Sequence, residues 1–341
     1  MKKMIVTIDV EGHVGKDPIE HLIFGKTDNG YYGIKKIMEE FDKVGAKVLF
    51  FVDFAEAFDY GKEKIEKVVR VILDRGHDVG VHIHPDHMAD KNRMFLWEYS
   101  YDEQFEIISK CTDLYTEIVG HKPLSFRAGK YGANRDTLDI LSELGYRYDF
   151  SQFYHQKWCG IKPPITVNAP CKYKGLVELP VTMHKSVALP GLSREDKVDI
   201  EGMKPKELKY ALQQIKDQKF PIVTTLFMHS FSLIDWYETP DSPVPNQGKL
   251  NKFKCAIESV SSLGFEYISE NELESVPVLE QEEALKTEIK WKSNLKGIFY
   301  TYQKAKGDMK RNKKAKGLVY GVRTLIAVLV IIVAIIIRVL L

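Results

Sequence analysis

Short apolar runs rich in β-branched residues alternate with amphipathic stretches almost from end to end of this 341-residue chain. MIVTID leads to the helix-patterned GIKKIMEEFDKVG and then to AKVLFFVD, a continuous apolar run. KIEKVVRVILDRG precedes DVGVHIH, DEQFEIISKCTDLYTEIVG precedes LSFRAG, and NRDTLDILSELG precedes YRYDFS. The regularity loosens through Pro163, Pro164 and Pro170 before GLVELPV. Two helix–strand units follow, KPKELKYALQQIKDQ with PIVTTLFMHS and KLNKFKCAIESVSSLG with FEYIS. Apolar strands separated by amphipathic helices mark a parallel sheet with helices packed outside it. The chain is therefore read as α/β, and about seven such units favour a barrel over an open sheet.

In parallel α/β folds the chemistry collects at the C-terminal ends of the strands. Here five such ends carry ionisable groups: Asp9 with Glu11, the histidines of GVHIHPDH, Arg127, Asp149 and His229. In TIDVEGH, strand alternation puts Asp9 and Glu11 on one face and Ile8 and Val10 on the other. Two neighbouring carboxylates repel, so the pair calls for a cation between them, a raised pKa, or a partner such as Arg127. The same alternation puts His82 and His84 in phase. A neutral imidazole is a ready ligand for a divalent metal, and two of them with one carboxylate leave positions open for water. His77 is expected in a turn, His87 on a loop or as a spare ligand, and His13 at the surface. In FRAGKYG, Arg127 stands at a strand end next to glycines that let the backbone pass close to another group. Its alternative role is a structural salt bridge.

Cysteines and charge bound the setting. Cys111, Cys159, Cys171 and Cys255 are scattered, with no CxxC pair, as expected of buried small apolar residues in a reducing compartment. MKKMIVTIDVEG enters a strand pattern at once, without the long apolar core of a signal peptide, so the body is expected in the cytoplasm. Residues 304–316 hold seven Lys or Arg against one Asp. With Arg323 and Arg338 they leave a net −6 on residues 1–303 of a chain whose total is +2. An acidic body on a basic neck does not read as a nucleic-acid binder. Residues 318–341, LVYGVRTLIAVLVIIVAIIIRVLL, carry only Arg323 and Arg338 as charges. A helix needs about 20 residues to cross a hydrocarbon core of ~30 Å, so the segment reads as a single transmembrane anchor. Its arginines snorkel near opposite ends, and the basic neck stays inside. Three regions follow: a catalytic body over 1–275, a charged linker over 276–317, and the anchor over 318–341. The protein is expected on the inner membrane with its body facing the cytoplasm.

Taken together, TIDVE, GHDVGVHIHP, FRAGKYG, YDFS and LFMHS resemble the motifs of the polysaccharide deacetylase (NodB-type) family, in order, over roughly residues 4–274. The D-V-E and H-x-H-P spellings resemble a branch linked with lipopolysaccharide and capsule assembly. The resemblance implies a distorted (β/α) barrel of about seven parallel strands and metal-dependent removal of N-acyl groups from a sugar. It implies Asp9 as catalytic base and Glu11 as a metal ligand one position later than the common spacing. His82 matches the first histidine ligand. His84, followed by Pro85, matches the second if two residues are deleted; without the deletion Asp86 falls there, and His87 stays in reserve. Arg127 matches the arginine that pairs with the base, Asp149 the fourth motif, and His229 the general acid. The implied cofactor is a divalent ion, with zinc favoured by the two imidazoles and cobalt, nickel or iron compatible with the same donors. The implied substrate is an envelope glycan or its lipid-linked precursor. The alternative is a non-catalytic, membrane-tethered glycan-binding module, which predicts a lost ligand or a lost acid.

Overall fold

The computed structural model describes residues 2–189, 192–290, 295–308, 316–317, 319–324 and 328. The first unit, 1–183 with 197–288, opens with β1 (Lys3–Val10), α1 (Ile34–Asp42), β2 (Val48–Asp53) and α2 (Lys62–Leu73). It continues with β3 (Asp78–Ile83), α3 (Tyr101–Val119), β4 (Ser125–Ala128), α4 (Arg135–Leu144) and β5 (Tyr148–Asp149). A hairpin of β6 (Cys171–Tyr173) and β7 (Leu176–Glu178) follows. A further hairpin, β8 (Met183–Leu189) with β9 (Leu192–Lys197), falls mainly in the second unit. The first unit ends with α5 (Pro205–Lys216), β10 (Val223–His229), α6 (Gln247–Ser262) and β11 (Glu266–Tyr267).

One sheet runs β10–β1–β2–β3–β4–β5–β7–β6, with β11 on β1. From β10 to β7 all neighbours are parallel; only β6 turns back. This is the α/β sheet expected, with seven parallel strands along its path. It is curled, in keeping with a (β/α) barrel, but its ladder does not close. Past β7, Pro180 has no N–H to give a ladder. The two ends are joined instead through threonines: Thr182 N–H donates to Thr225 Oγ1 at 3.0 Å, and Thr225 N–H to Thr182 Oγ1 at 2.9 Å.

The helices form because their apolar residues recur at helical spacing. In α1, Ile34, Ile37, Met38 and Phe41 are buried, and Phe41 meets Phe253 of α6 edge-on at 5.3 Å. Ser100 and Glu103 make a capping box that starts α3, and Gly120 ends it at a φ of 94°. One sheet face is layered along each strand. On β1, β2 and β10 it begins with Ile5, Leu49, Phe51 and Val223, which join Phe150 and Leu179 in an apolar cluster. The same face ends with Asp9, Asp53 and His229, in register across the strands: Asp9 lies opposite His229 and Asp53 opposite His82. Apolar packing thus fills the N-terminal half of that face and leaves the polar groups at the C-terminal rim.

The chain stays with the first unit through Glu288, past the linker boundary at 275. Leu279 N–H donates to the Pro170 carbonyl, Ala284 is buried, and Thr287 Oγ1 accepts the Asn168 N–H. The β8–β9 hairpin had no sequence signal in the loosened region and groups with residues 289–341. Within that second unit, Lys185 N–H donates to the Ile289 carbonyl at 2.7 Å. Thr301, on α7 (Leu295–Asp308), donates its hydroxyl to the Ser186 carbonyl at 2.9 Å. The anchor expected over 318–341 lies outside the described residues except at 319–324 and 328. Among the described residues no helix is long and apolar enough to cross a membrane. All four cysteines are free thiols; Cys255 is exposed rather than buried, because it lies on the outer side of α6.

Candidate active site

Glu11, just past β1, and His82, on β3, meet at the rim with His84. One donor atom from each lies within 4.8 Å of the others, and all three side chains are buried. Glu11 Oε2 is 3.3 Å from His82 Nε2 and 2.7 Å from His84 Nε2. His84 keeps the phase of the strand because its backbone is still extended (φ −98°, ψ 104°), and the turn Pro85–His87 begins only after it. That turn takes Asp86 out of the strand's phase, and the donor atoms that come together are those of Glu11, His82 and His84. Gly129 makes room for the His84 ring: a Cβ there would lie 2.7 Å from His84 Cγ. The glycine noted in FRAGKYG therefore serves the close passage expected of it.

This donor set fits a divalent ion. His82 Nδ1 lies 2.8 Å from the Arg127 carbonyl; as an N–H donor there it leaves Nε2 facing Glu11. His84 Nε2 is buried without a hydrogen-bond partner, although Glu11 is beside it. Two imidazole nitrogens and a carboxylate converging on one point are what an ion of this class requires. Burial alone would raise the Glu11 pKa, but His13 and His84 reverse this and hold the carboxyl well below its usual range.

Asp9 and His229 flank the cluster. Asp9 Oδ2 is 3.9 Å from His82 Nε2, and His229 Nε2 is 3.5 Å from Glu11 Oε1. Arg127 is almost fully buried and donates from Nη1 to Asp9 Oδ1 at 2.6 Å and from Nη2 to Thr7 Oγ1 at 3.0 Å. Its guanidinium lies over the Phe51 ring, 4.4 Å from the centroid, so the apolar layer of the sheet supports the ion pair from below. The chain after β4 is bent sharply, with positive φ at Lys130 and Tyr131 (52° and 58°).

Three sequence expectations fail here. Asp149 does not join the cluster: it is fully buried at the end of β5, accepts the Ser151 hydroxyl at 2.6 Å, and faces Glu178. Burial raises the Asp149 pKa against the hydrogen bonds from Glu178 and Ser151, while burial and the Asp149 charge together hold Glu178 well above the usual carboxylate range. His13 is only partly exposed, because its Nε2 pairs with Glu11 Oε1 at 2.8 Å. Its ring also meets those of His84 and Phe231 at 5.7 and 5.5 Å. His77 is buried rather than in an open turn, with Nδ1 accepting the Val48 N–H at 3.2 Å. His87 lies with Asp53 and Glu56 in a separate group of potential ligands.

The sequence reading missed Glu201. His229 Nδ1 lies 2.9 Å from Glu201 Oε1, which leaves Nε2 facing the cluster. Burial alone would lower the His229 pKa; the Glu201, Glu11 and Asp9 carboxylates outweigh it and raise the value. Burial would raise Glu201, yet His229 brings it down to about 2. A group whose pKa is raised keeps its proton to higher pH, so an acid role for His229 fails only above that raised value. Replacing Glu201 by Gln removes the largest raising influence. The alkaline limb of kcat/KM against pH is expected to move to lower pH. An unmoved limb removes Glu201 from control of His229. Beside His229, Glu201, Ser232, Phe231, Trp236 and Lys249 are among the residues that line a pocket of about 200 Å³. Phe231 stacks on the His229 ring at 4.9 Å.

Residues 20–148 match the polysaccharide deacetylase family model. A peptidoglycan deacetylase-like protein of Gibberella zeae is 26% identical over 130 residues, 37% of this chain and 34% of the relative. The chain thus aligns with about a third of that relative's length. A solved structure from Mycobacterium smegmatis, assigned to the polysaccharide deacetylases, has a TM-score of 0.53 at 19% identity, covering 80% of this chain and 90% of that one. It shares the fold. A peptidoglycan deacetylase structure from Bacillus subtilis has a TM-score of 0.40 at 14% identity, with coverage of 80% and 90%. Residues 20–148, which include His82 and His84, are thus similar to the polysaccharide deacetylase family, and the chain shares its fold with a solved structure assigned to that family.

Proposed function

We propose that the protein is a metal-dependent amide hydrolase that removes an N-acyl group from a sugar of an envelope glycan or its lipid-linked precursor. The observation that carries this reading is one rim holding three parts. These are the Glu11–His82–His84 donor set, an arginine-paired carboxylate (Asp9) and a carboxylate-paired imidazole (His229). Glu11, His82 and His84 would hold the ion, zinc by preference for the two imidazoles, and when bound it supplies Lewis acidity toward the acyl carbonyl and water.

The chain's own residues manage the protons. Asp9 accepts the proton of the attacking water, with Arg127 fixing the carboxylate's direction and countering its charge in the dry rim. His229, with Nδ1 donating to Glu201, presents Nε2 to the departing amine and gives it a proton. Phe231 and Trp236 offer flat apolar faces next to His229, suited to a sugar ring or its acyl group. Residues 318–341 would hold this rim near lipid-linked sugars on the inner leaflet, with the body in the cytoplasm.

The test is release of acetate or formate by the full-length protein from a panel of N-acylated sugars, oligosaccharides and lipid-linked sugars. Metal-dependent release from at least one class is expected, and highest for lipid-linked substrates. No release across the panel by metal-loaded protein would overturn the reading.

A further inference from the structure

We propose that Asp53, Glu56 and His87 form a second site for a divalent cation, separate in its ligands from Glu11, His82 and His84. One donor atom from each lies within 4.8 Å of the other two. Asp53 ends β2 and Glu56 opens the short helix Glu56–Tyr60, and both carboxylates are completely buried. Two carboxylates in a dry environment need compensation, since an unpaired buried charge costs several kcal/mol. Among the described residues no lysine or arginine pairs with either. Asp53 Oδ1 accepts the Ala55 N–H at 3.0 Å and the His84 N–H at 3.3 Å. Glu56 Oε1 accepts the Gly12 N–H.

Two further observations point to a ligand rather than to a self-contained acidic cluster. Glu56 Oε2 is buried and has no hydrogen-bond partner. The His87 ring is oriented from its far side: Nδ1 lies 2.7 Å from Asp59 Oδ2, and Lys91 Nζ holds that same carboxylate oxygen at 2.6 Å. With Nδ1 donating to Asp59, Nε2 turns its lone pair toward Glu56 Oε1, 4.0 Å away. That separation is too long for a hydrogen bond and leaves acceptors facing one another. A carboxylate-held imidazole aimed at buried carboxylates is the outer-shell arrangement typical of metal-binding histidines. Two oxygens and one nitrogen suit manganese, iron(II) or zinc. His84 links the two sites, since its ring serves the first and its N–H serves Asp53.

The test is the manganese content of the full-length protein after equilibrium dialysis against Mn²⁺. Glu56→Gln and His87→Ala are each expected to hold one equivalent less than wild type. His82→Ala, which strikes only the first site, reports separately on the ion of the proposed hydrolase. Unchanged content in both Glu56→Gln and His87→Ala overturns the second site. So does loss in Glu56→Gln alone, because a folding defect at that buried position would produce it. His87 lies nearer the surface, and its replacement leaves the buried carboxylates in place, so a lost equivalent there supports the proposal.

Discussion

Asp9→Asn is expected to lower turnover by a factor on the order of 10²–10⁴ while leaving the ion content of the protein unchanged. The amide keeps the shape of the carboxylate and one oxygen for the Arg127 bond at 2.6 Å, so the side chain stays in place. It cannot take a proton. Asp9 lies 3.9 Å from His82 Nε2, farther than either Glu11 contact, so ion binding does not depend on it. His229→Ala should cause a loss of the same order, again with the ion retained, because the proposed role of its imidazole is to protonate the leaving amine. Acetate release and metal content measured on the same preparations separate these effects. Near-normal turnover in either variant removes that residue from the proton chemistry.

The parts of the site that were legible in the sequence are those set by strand periodicity. Asp9 with Glu11, and His82 with His84, share faces because side chains alternate along β1 and β3, and the parallel register then brings Asp9 opposite His229 and His82 opposite Arg127. Where the alternation stops, so does the legibility. Glu201 reaches His229 from the loop after β9, and nothing in DIEGMK marks it as a partner. Asp149 was drawn in by its place at a strand end. A strand end does not reveal whether the side chain turns to the rim or, as here, into a buried pair with Glu178. Asp53 and Glu56 sat unnoticed in LFFVDFAE, since a single aspartate closing an apolar strand has no periodic partner to expose its role. The fold was read more fully than the site. Its alternating apolar and amphipathic segments gave every strand from β1 to β5, whereas the β8–β9 hairpin lies where proline and irregular spacing erase the pattern.

Metal content and acetate release compared between wild type and His84→Ala test the central claim most directly. His84 Nε2 is 2.7 Å from Glu11 Oε2, buried, and without a hydrogen-bond partner, and its ring fills the space that Gly129 leaves open. Alanine removes one of three donors and contributes nothing in its place. The Arg127–Asp9 pair and the apolar layer beneath it stay intact, so the fold should survive, as circular dichroism would register. The account predicts that His84→Ala loses one ion equivalent relative to wild type and, with it, acetate release. Wild-type ion content in the variant, or wild-type turnover without the ion, would contradict it.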